Sequence, residues 1–310
     1  MTKMLRRLTG CLVLSACLLL PPFLLPPSAA ADPVRLVVDG RGLDGELHLA
    51  SGKAIHDGVM VLVHGTLAHN RMEIMQMLQE TLGARGISTL AVTLSLGVSD
   101  RRGMYDCAVP HRSSNAQAAG EIAAWIGWAQ QQGAAKIGLL GHSRGGAQVA
   151  LYAAQAGDRL PAALTRIVLV APGTFDMARA AADYHKRYGT DLAVPLQKAQ
   201  ALVAVGQGDT LLTRTDFLYC PQASVAAASF VDTYADDGRN DAPSQLAAIR
   251  RPVLLAIAGS DEIVADLPQR LATAAKPAQF HAMTVEGADH FFKDLFGEDL
   301  ADAIAAFWKG

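Results

Sequence analysis

The sequence predicts an α/β protein with a mostly parallel central sheet, helices on both faces of the sheet, and a helical cap inserted late in the sheet. Short apolar runs, typical of strands that are buried on both faces, recur along the chain. They alternate with segments in which apolar residues are spaced by three and four, as on one face of a helix. Such alternation favours parallel strands that are joined by right-handed helical crossovers.

The predicted strands are apolar or alternating runs that lie between turns containing Gly, Pro or Asp. The first two are short and form a meander, whereas VMVLV, residues 59–63, is apolar throughout and should be buried on both faces. In chain order, the predicted strands cover residues 34–40, 46–50, 59–63, 87–94, 137–140, 166–170, 252–258 and 280–285.

The predicted helices lie between these strands, and each has one apolar face. The first carries Met72, Met75, Leu78 and Leu82, and the glycines at 83 and 86 end it. The later helices are predicted after a cap at Ser113 or Ser114, from residue 144 to about 155, near 267–275, and at the C terminus, where Leu300, Ile304 and Phe307 form the buried face.

The alternation pauses between Pro172 and Ile249, a segment that is too long for a bare loop. It contains three short helical patterns, at 178–188, 196–205 and 224–234, separated by Gly, Asp and Pro. We therefore predict a cap at about 173–249 as an insertion within a single domain that covers residues 32–310.

The first 31 residues have the layout of a secretory signal: a basic start, an apolar run and a small-residue cleavage site. We predict cleavage before Asp32, with cleavage before Ala31 as the alternative. The prolines at 21 and 22 leave the apolar run shorter than the roughly 20 residues of a membrane-spanning helix. Cys17 lies in a segment that resembles a lipoprotein cleavage motif, so a lipid anchor is a further alternative. The mature protein is predicted to be periplasmic or secreted, without a membrane span.

Charge and cysteine content indicate which partners, disulfides and metal sites can be expected. The formal net charge of −2 gives no electrostatic reason to expect a nucleic-acid partner. Removal of the signal leaves two cysteines, Cys107 and Cys220, which is compatible either with one disulfide in an oxidising compartment or with two buried thiols. No metal site and no cofactor are expected.

One motif carries a nucleophile pattern. Gly141-His142-Ser143-Arg144-Gly145 matches G-x-S-x-G and joins an apolar strand to an Ala-rich helix. In such a sharp turn the serine hydroxyl projects above the sheet, and side chains two residues before and after it would collide. The helix that follows directs its first amides at developing negative charge. The alternative is a glycine-rich turn with a capping serine.

A serine hydroxyl needs a general base, and the base needs an orienting carboxylate. His290 lies just after the last predicted strand, in EGADHFF, and His64 is its rival. Asp261 follows the strand at 252–258 and is the predicted carboxylate, with Glu262 as the fallback. Asp289 is adjacent to the histidine, and neighbouring side chains diverge, so it is disfavoured.

The motifs VLVHGT, GLLGHSRGG, LLAIAGSDEIV and GADHFF resemble those of the α/β-hydrolase superfamily. The order Ser143, Asp261, His290 is the order of that family's catalytic triad. The resemblance implies that the backbone amides of Thr66 and Arg144 form an oxyanion hole. A serine at the nucleophile position disfavours the dehalogenases and epoxide hydrolases of the superfamily, which use Asp there.

The expected activity is therefore hydrolysis of a carboxylic ester of a small molecule through an acyl-enzyme intermediate. A peptidase or amidase related to proline-releasing hydrolases, an acyltransferase, and a non-catalytic binding protein that retains the fold are the alternatives. The apolar composition of the cap favours an apolar pocket. For Arg101, Arg102 and Arg112 a solvated loop is the favoured interpretation, and binding of an anionic group is the alternative.

Overall fold

Ten strands occur in residues 31–310, which are the residues that the structure, a computed structural model, describes. The predicted signal peptide, apart from its last residue, and Cys17 lie outside this range. The strands are β1 (Asp32–Val38), β2 (Arg41–His48), β3 (Val59–Val63), β4 (Ser88–Val92), β5 (Ile137–His142), β6 (Leu164–Val170), β7 (Leu211–Phe217), β8 (Cys220–Ala226), β9 (Val253–Ala258) and β10 (Phe280–Val285).

Eight of these strands form one sheet in the order β1-β2-β4-β3-β5-β6-β9-β10. The pairs β1–β2 and β2–β4 are antiparallel, and every other neighbouring pair is parallel. The mostly parallel sheet predicted from the sequence is thereby confirmed. The carboxyl ends of the parallel strands meet at one edge of the sheet, which is where open α/β sheets hold their ligand sites.

Helices pack on the sheet in two groups. In the sheet, β4 lies on one side of β3 and β5 lies on the other, so the connections β3–β4 and β4–β5 run across the sheet in opposite directions. Because both crossovers are right-handed, their helices lie on opposite faces of the sheet. Within residues 31–310 no helix is long and apolar enough to cross a membrane. The helices are α1 (Glu73–Ala84), α2 (Asn115–Gln131), α3 (Arg144–Ala156), α4 (Met177–Tyr188), α5 (Ala193–Ala204), α6 (Ala227–Tyr234), α7 (Ala242–Gln245), α8 (Leu267–Thr273) and α9 (Leu295–Lys309), with short 3₁₀ turns at Ile55–Asp57, Gly157–Arg159 and Leu246–Ala248.

The helix packing follows the predicted apolar faces. α1 packs on α9, and α2 packs on α3. All residues of β3, β4 and β5 are buried, as continuous apolar strands between two helical layers should be. At the start of α2, the Ser114 hydroxyl accepts a hydrogen bond from the Gln117 amide at 3.1 Å, so the predicted cap is formed by Ser114.

The segment between β6 and β9, residues 171–252, is called the cap segment below. Three of its helices, α4, α5 and α6, lie close to the three predicted patterns, but α6 begins at Ala227 rather than at Ser224. The structure also contains an antiparallel hairpin, β7–β8, where the sequence analysis expected only helices and loops. Irregular register and left-handed backbone at Arg214 break the alternation that would have identified these strands.

The cap segment has a hydrophobic cluster of its own, which includes Tyr184, Phe217 and Phe230. A disulfide joins Cys220, at the start of β8, to Cys107 in the loop after β4, with a Cα–Cα distance of 5.3 Å. Of the two states that the sequence left open for these cysteines, the structure contains the bonded one. Beside the disulfide, the His111 backbone pairs with β8 through hydrogen bonds of 2.8 and 2.9 Å.

Replacing Cys107 and Cys220 together by alanine is expected to lower the free energy of unfolding by about 3 to 5 kcal/mol. The two cysteines are 113 residues apart, so the unfolded chain gains much freedom when the bond is absent. Urea unfolding of the oxidised protein measures the loss, and wild-type protein unfolded with a reductant serves as the control. Equal stability of the oxidised wild type and the double variant would contradict the prediction.

Candidate active site

Ser143 lies in a strained turn between β5 and α3. Its φ of 55° and ψ of −127° are left-handed values that a residue with a Cβ rarely adopts. The surrounding backbone holds this geometry, because the Ser143 amide donates to the carbonyl of Val170 at 3.0 Å. Its carbonyl accepts from the amides of Gly146 at 2.8 Å and Gly173 at 2.7 Å. Strain that is maintained by so many contacts is typical of functional sites.

Both glycines of the motif are required by close approaches of the backbone. A Cβ at Gly141 would lie 2.4 Å from the carbonyl oxygen of Gly145, and a Cβ at Gly145 would lie 2.3 Å from the carbonyl oxygen of His64. These distances agree with the collisions that were expected from the sequence for side chains at the two positions.

Gly145→Ala is expected to lower the free energy of unfolding by about 1 to 3 kcal/mol, since the added methyl group forces the backbone of β3 and α3 apart. Gly120→Ala, on the exposed face of α2 with no atom within 4 Å of the added Cβ, is the matched control. It should raise stability by about 0.5 to 1 kcal/mol because alanine favours helix more than glycine does. Thermal unfolding of both variants tests the pair, and a Gly145→Ala protein as stable as the wild type would refute the packing argument.

His290 and Asp261 form a buried pair. The His290 Nδ1 lies 2.7 Å from Asp261 Oδ2, and the two side chains are 5% and 4% exposed. An ionised carboxylate only accepts hydrogen bonds, so Nδ1 carries a proton and donates it, and in the neutral form of the ring Nε2 has the lone pair.

The environment of Asp261 keeps its carboxylate ionised. Its Oδ1 accepts from the amides of Ile263 at 2.7 Å and Val264 at 3.0 Å. Burial raises the pKa of Asp261, but the hydrogen bonds from His290 and from these amides outweigh burial and lower the pKa below its usual value. The carboxylate is thus available to orient the imidazole.

The rival residues have other partners. The ring of His64 donates to the carbonyl of Gly65 at 2.8 Å and accepts from the amide of Leu94 at 3.1 Å. Burial and the nearby Arg101 lower the pKa of His64 to about 3, so its ring is neutral and holds the loop after β3. Glu262 is exposed, and Asp289 accepts from the amide of Phe291 at 3.0 Å; neither contacts the His290 ring.

Two cavities meet at Ser143. The first, called the apolar cavity, has a volume of about 320 Å³ and is lined by Ser143, His290 and mostly apolar side chains that include Met72 and Phe291. The second, called the polar cavity because it contains charged side chains, has a volume of about 210 Å³ and is lined by Ser143 and by polar and apolar side chains, most of them from the cap segment. Within residues 31–310, no hydrogen bond joins the Ser143 hydroxyl to the His290 ring, although both face the apolar cavity.

The amides of Thr66 and Arg144 are free to bind an oxygen atom. Neither amide donates a hydrogen bond to any group within the described part of the chain. Arg144 is the first residue of α3, where backbone amides have no partner inside the helix, and Thr66 follows β3. Both residues line the polar cavity together with Ser143. Among the described residues, no group of three or more His, Cys, Asp or Glu side chains could hold a metal ion.

Two side chains inside the nucleophile motif, His142 and Arg144, have contacts that no sequence pattern predicted. The His142 Nε2 donates to the carbonyl of His290 at 2.9 Å, and burial lowers the pKa of His142 to about 3. This neutral ring therefore fixes the backbone of the loop that carries His290. The Arg144 side chain lines the polar cavity. The sequence feature that could have identified both residues is their position in the motif, on either side of Ser143.

The three arginines that were considered for anion binding form contacts away from Ser143. Arg101 is buried and donates to the carbonyls of Leu94 and Gly103. Arg102 pairs with Asp44 at 3.4 Å, and Arg112 donates to a backbone carbonyl of the cap segment. None of the three lines either cavity at Ser143. The alternative that these residues bind an anion at the site around Ser143 therefore has no support from their positions.

Solved structures with a similar fold cover most of the chain. Est1E from Butyrivibrio proteoclasticus, in its complex with ferulic acid, has a TM-score of 0.63 and 17% identity and covers 88% of this chain and 97% of its own. The monoacylglycerol lipase of Paleococcus ferrophilus has a TM-score of 0.59 and 21% identity, with coverages of 86% and 98%. The esterase domain of a Rhodothermus marinus protein has a TM-score of 0.56 and 15% identity, with coverages of 89% and 97%. At these identities the likeness concerns the fold.

A match to a family model identifies the family of the chain. No curated protein matches the sequence significantly. The model of the alpha/beta hydrolase family matches residues 60–307, a range that begins in β3 and ends in α9. It therefore includes Ser143, Asp261 and His290, together with the whole cap segment. Since this match covers well over half of the chain, the protein belongs to the α/β hydrolase family.

Proposed function

We propose that the protein is a serine hydrolase that cleaves a carboxylic ester through an acyl-enzyme intermediate. The observation that carries the proposal is the strained Ser143 turn, which faces the same cavity as a histidine bonded to a buried carboxylate at 2.7 Å. A serine in this setting has the partners that its hydroxyl needs to act as a nucleophile.

In the proposed mechanism, Ser143 attacks the acyl carbonyl while His290 Nε2 takes the hydroxyl proton. Asp261 remains ionised and stabilises the imidazolium that forms. The tetrahedral oxyanion is bound by the amides of Thr66 and Arg144. His290 then protonates the alcohol as it leaves, and water, activated by the same ring, releases the acid from the serine.

Two observations favour an ester over an amide. The apolar cavity beside His290, where the leaving group would lie, offers contacts to an apolar alcohol. The similar structures include an esterase domain and a monoacylglycerol lipase, as they are named. We therefore propose that the substrates are carboxylic esters, with peptides or amides as the alternative.

Labelling with a fluorophosphonate probe, followed by mass spectrometry of the labelled peptide, tests the nucleophile. We expect modification of Ser143, and turnover of benzyl and butyl esters well above that of aminoacyl-proline amides. Heat-denatured protein is the control for nonspecific labelling. Labelled protein that cleaves only amides would indicate a peptidase, and an unlabelled Ser143 without turnover would indicate a binding protein.

We also propose that the protein is exported and that its mature chain starts at about Asp32. The first strand begins at this residue, and the disulfide is compatible with an oxidising compartment. The mature domain then spans residues 32–310, with the cap inserted between β6 and β9. N-terminal sequencing of protein from the periplasm or medium tests the cleavage site, and retention of lipid on Cys17 would contradict it.

A further inference from the structure

The two cavities at Ser143 differ in chemistry, and this difference gives the orientation of a bound substrate. They share Thr66, Ser143, Tyr219 and Ile263, so a substrate attached at the serine extends into both. Only the polar cavity has charged side chains. Its polar lining includes Arg144, Asp183, Tyr184, Arg187, Thr233, Tyr234 and Asn240.

Arg144 is poorly satisfied for a cation next to the nucleophile. Its guanidinium makes one long hydrogen bond, 3.4 Å to the hydroxyl of Thr233. Within residues 31–310 no carboxylate lies within 4.0 Å of it, although Asp232 is close enough to act on it through space. That carboxylate already accepts from Arg239 at 2.9 Å and from the amide of Asn115 at 2.7 Å. The other donors of this half-buried guanidinium have no partner among the described residues, so a ligand in the cavity can supply the acceptor.

The other charges of the polar cavity are engaged by neighbours. Arg187 donates to the carbonyl of Leu218 at 2.8 Å and packs over the ring of Tyr219 at 4.3 Å. Asp183 lies 3.7 Å from Arg179, one turn away on α4. Arg144 is therefore the charged group of this cavity, among the described residues, that has neither an ion-pair partner nor an aromatic contact.

The position of His290 determines which part of an ester enters each cavity. This ring lines the apolar cavity and not the polar one. The group that His290 protonates is the alcohol, so the alcohol must lie in the apolar cavity. The acyl group is then directed into the polar cavity, where it meets Arg144.

We propose that the substrate is a half-ester of a short dicarboxylic acid, with its free carboxylate paired to Arg144 and its apolar alcohol beside His290. This inference rests on the proposed function and adds a substrate class to it. The bond from Ser143 Oγ to the acyl carbon forms as the bond to the alcohol oxygen breaks, and the serine proton passes through His290 to the alcohol. Water then cleaves the acyl-enzyme to give the dicarboxylate.

A matched pair of substrates tests the role of the charge. Monobenzyl glutarate carries the carboxylate, and benzyl 5-oxohexanoate replaces it by a neutral methyl ketone of similar shape. Release of benzyl alcohol is followed by chromatography. We expect wild-type kcat/KM to favour the charged ester by about 10- to 100-fold, the range of a charge-assisted hydrogen bond.

Variants then assign the preference to a residue. Arg144→Met should bring the ratio of the two kcat/KM values close to 1, and Arg144→Lys should give an intermediate ratio. The ratio is taken within each protein, so a general loss of activity cancels. Arg187→Met removes the same charge from the same cavity and should keep most of the preference. An unchanged ratio in Arg144→Met, or no preference in the wild type, would overturn the proposal.

A binding measurement separates this proposal from the proposed function. Ser143→Ala protein is titrated calorimetrically with both esters, with and without Arg144→Met. Tighter binding of monobenzyl glutarate that depends on Arg144 supports carboxylate recognition, even if no ester is hydrolysed by the wild type. Equal binding of the two compounds, or binding that Arg144→Met leaves unchanged, refutes it even if the protein proves to be an esterase.

Discussion

Ser143→Ala is expected to lower the turnover of a benzyl ester by about 10⁴- to 10⁶-fold, the range seen when a triad nucleophile is removed. The variant keeps the two free amides at Thr66 and Arg144 and the His290–Asp261 pair. It loses only the atom that would form the bond to the acyl group. Initial rates with purified wild-type and variant protein measure the loss, and a variant within 10-fold of the wild type would contradict the mechanism.

A second substitution at the same position tests whether the activity is lost because the hydroxyl is absent rather than because the turn is disturbed. Ser143→Gly also removes the hydroxyl, but glycine adopts the φ of 55° without the strain that a residue with a Cβ, such as alanine, has there. We therefore expect the glycine variant to be as inactive as the alanine variant and more stable than it, by about 1 kcal/mol. Equal thermal midpoints for the two variants would show that the turn stores less strain than its angles indicate.

Asp261→Asn is expected to lower kcat by about 10⁴-fold, because it reverses the tautomer of His290. Oδ1 of the aspartate accepts from two backbone amides, those of Ile263 and Val264, so the asparagine oxygen must take that position. Its NH₂ group then faces His290 Nδ1, which has to become an acceptor. The ring proton moves to Nε2, and Nε2 can no longer take the proton of Ser143.

The test of this prediction is the pH profile of kcat together with two matched variants. Glu262→Gln and Asp289→Asn change carboxylates near the site that do not contact the His290 ring, and each should stay within about threefold of the wild type. The loss in Asp261→Asn should persist at every pH at which the wild type is folded. Activity of Asp261→Asn close to the wild-type value would assign the orienting role to another group.

The lowered pKa of Asp261 also has a consequence for stability. A carboxyl whose pKa is lower in the folded protein stabilises the fold above its unfolded pKa, and this contribution is lost as the pH falls through the folded value. The ordinary value is 3.8, so the contribution is complete at neutral pH. His64 and His142, whose pKa values are about 3, are neutral over the same range.

The sequence carried strong signals for the central sheet and weak ones for the cap segment. β3 lies where a continuous apolar run predicted it, since a strand buried by both helical layers consists almost entirely of apolar residues. β10 also lies at its predicted position, although it is an edge strand and most of its residues are exposed or half-buried. The hairpin β7–β8 was missed. Its strands contain Pro221, left-handed residues at Arg214 and Gln222, and register shifts, so no regular alternation marks them.

In the candidate site, too, the residues of the sheet could be predicted from the sequence and the contacts of the cap segment could not. Ser143, Asp261 and His290 could be named because each lies in the loop that follows a strand of the parallel sheet, where topology brings chain-distant residues together. The environment of Arg144 could not be inferred in this way. Its contact with Thr233 depends on how the cap segment lies over the sheet, and no periodicity in the sequence encodes that position.

The insertion between β6 and β9 has a consequence for the order of folding. These strands are neighbours in the sheet, yet residues 171–252 separate them, and closing so long a loop is entropically slow. Ser143, the proposed nucleophile, belongs to the half of the chain that precedes the loop, whereas Asp261 and His290 follow it. In stopped-flow refolding of the oxidised protein, we therefore expect the helical circular-dichroism signal to recover first and esterase activity to return last, so that a partly folded chain cannot yet hydrolyse esters.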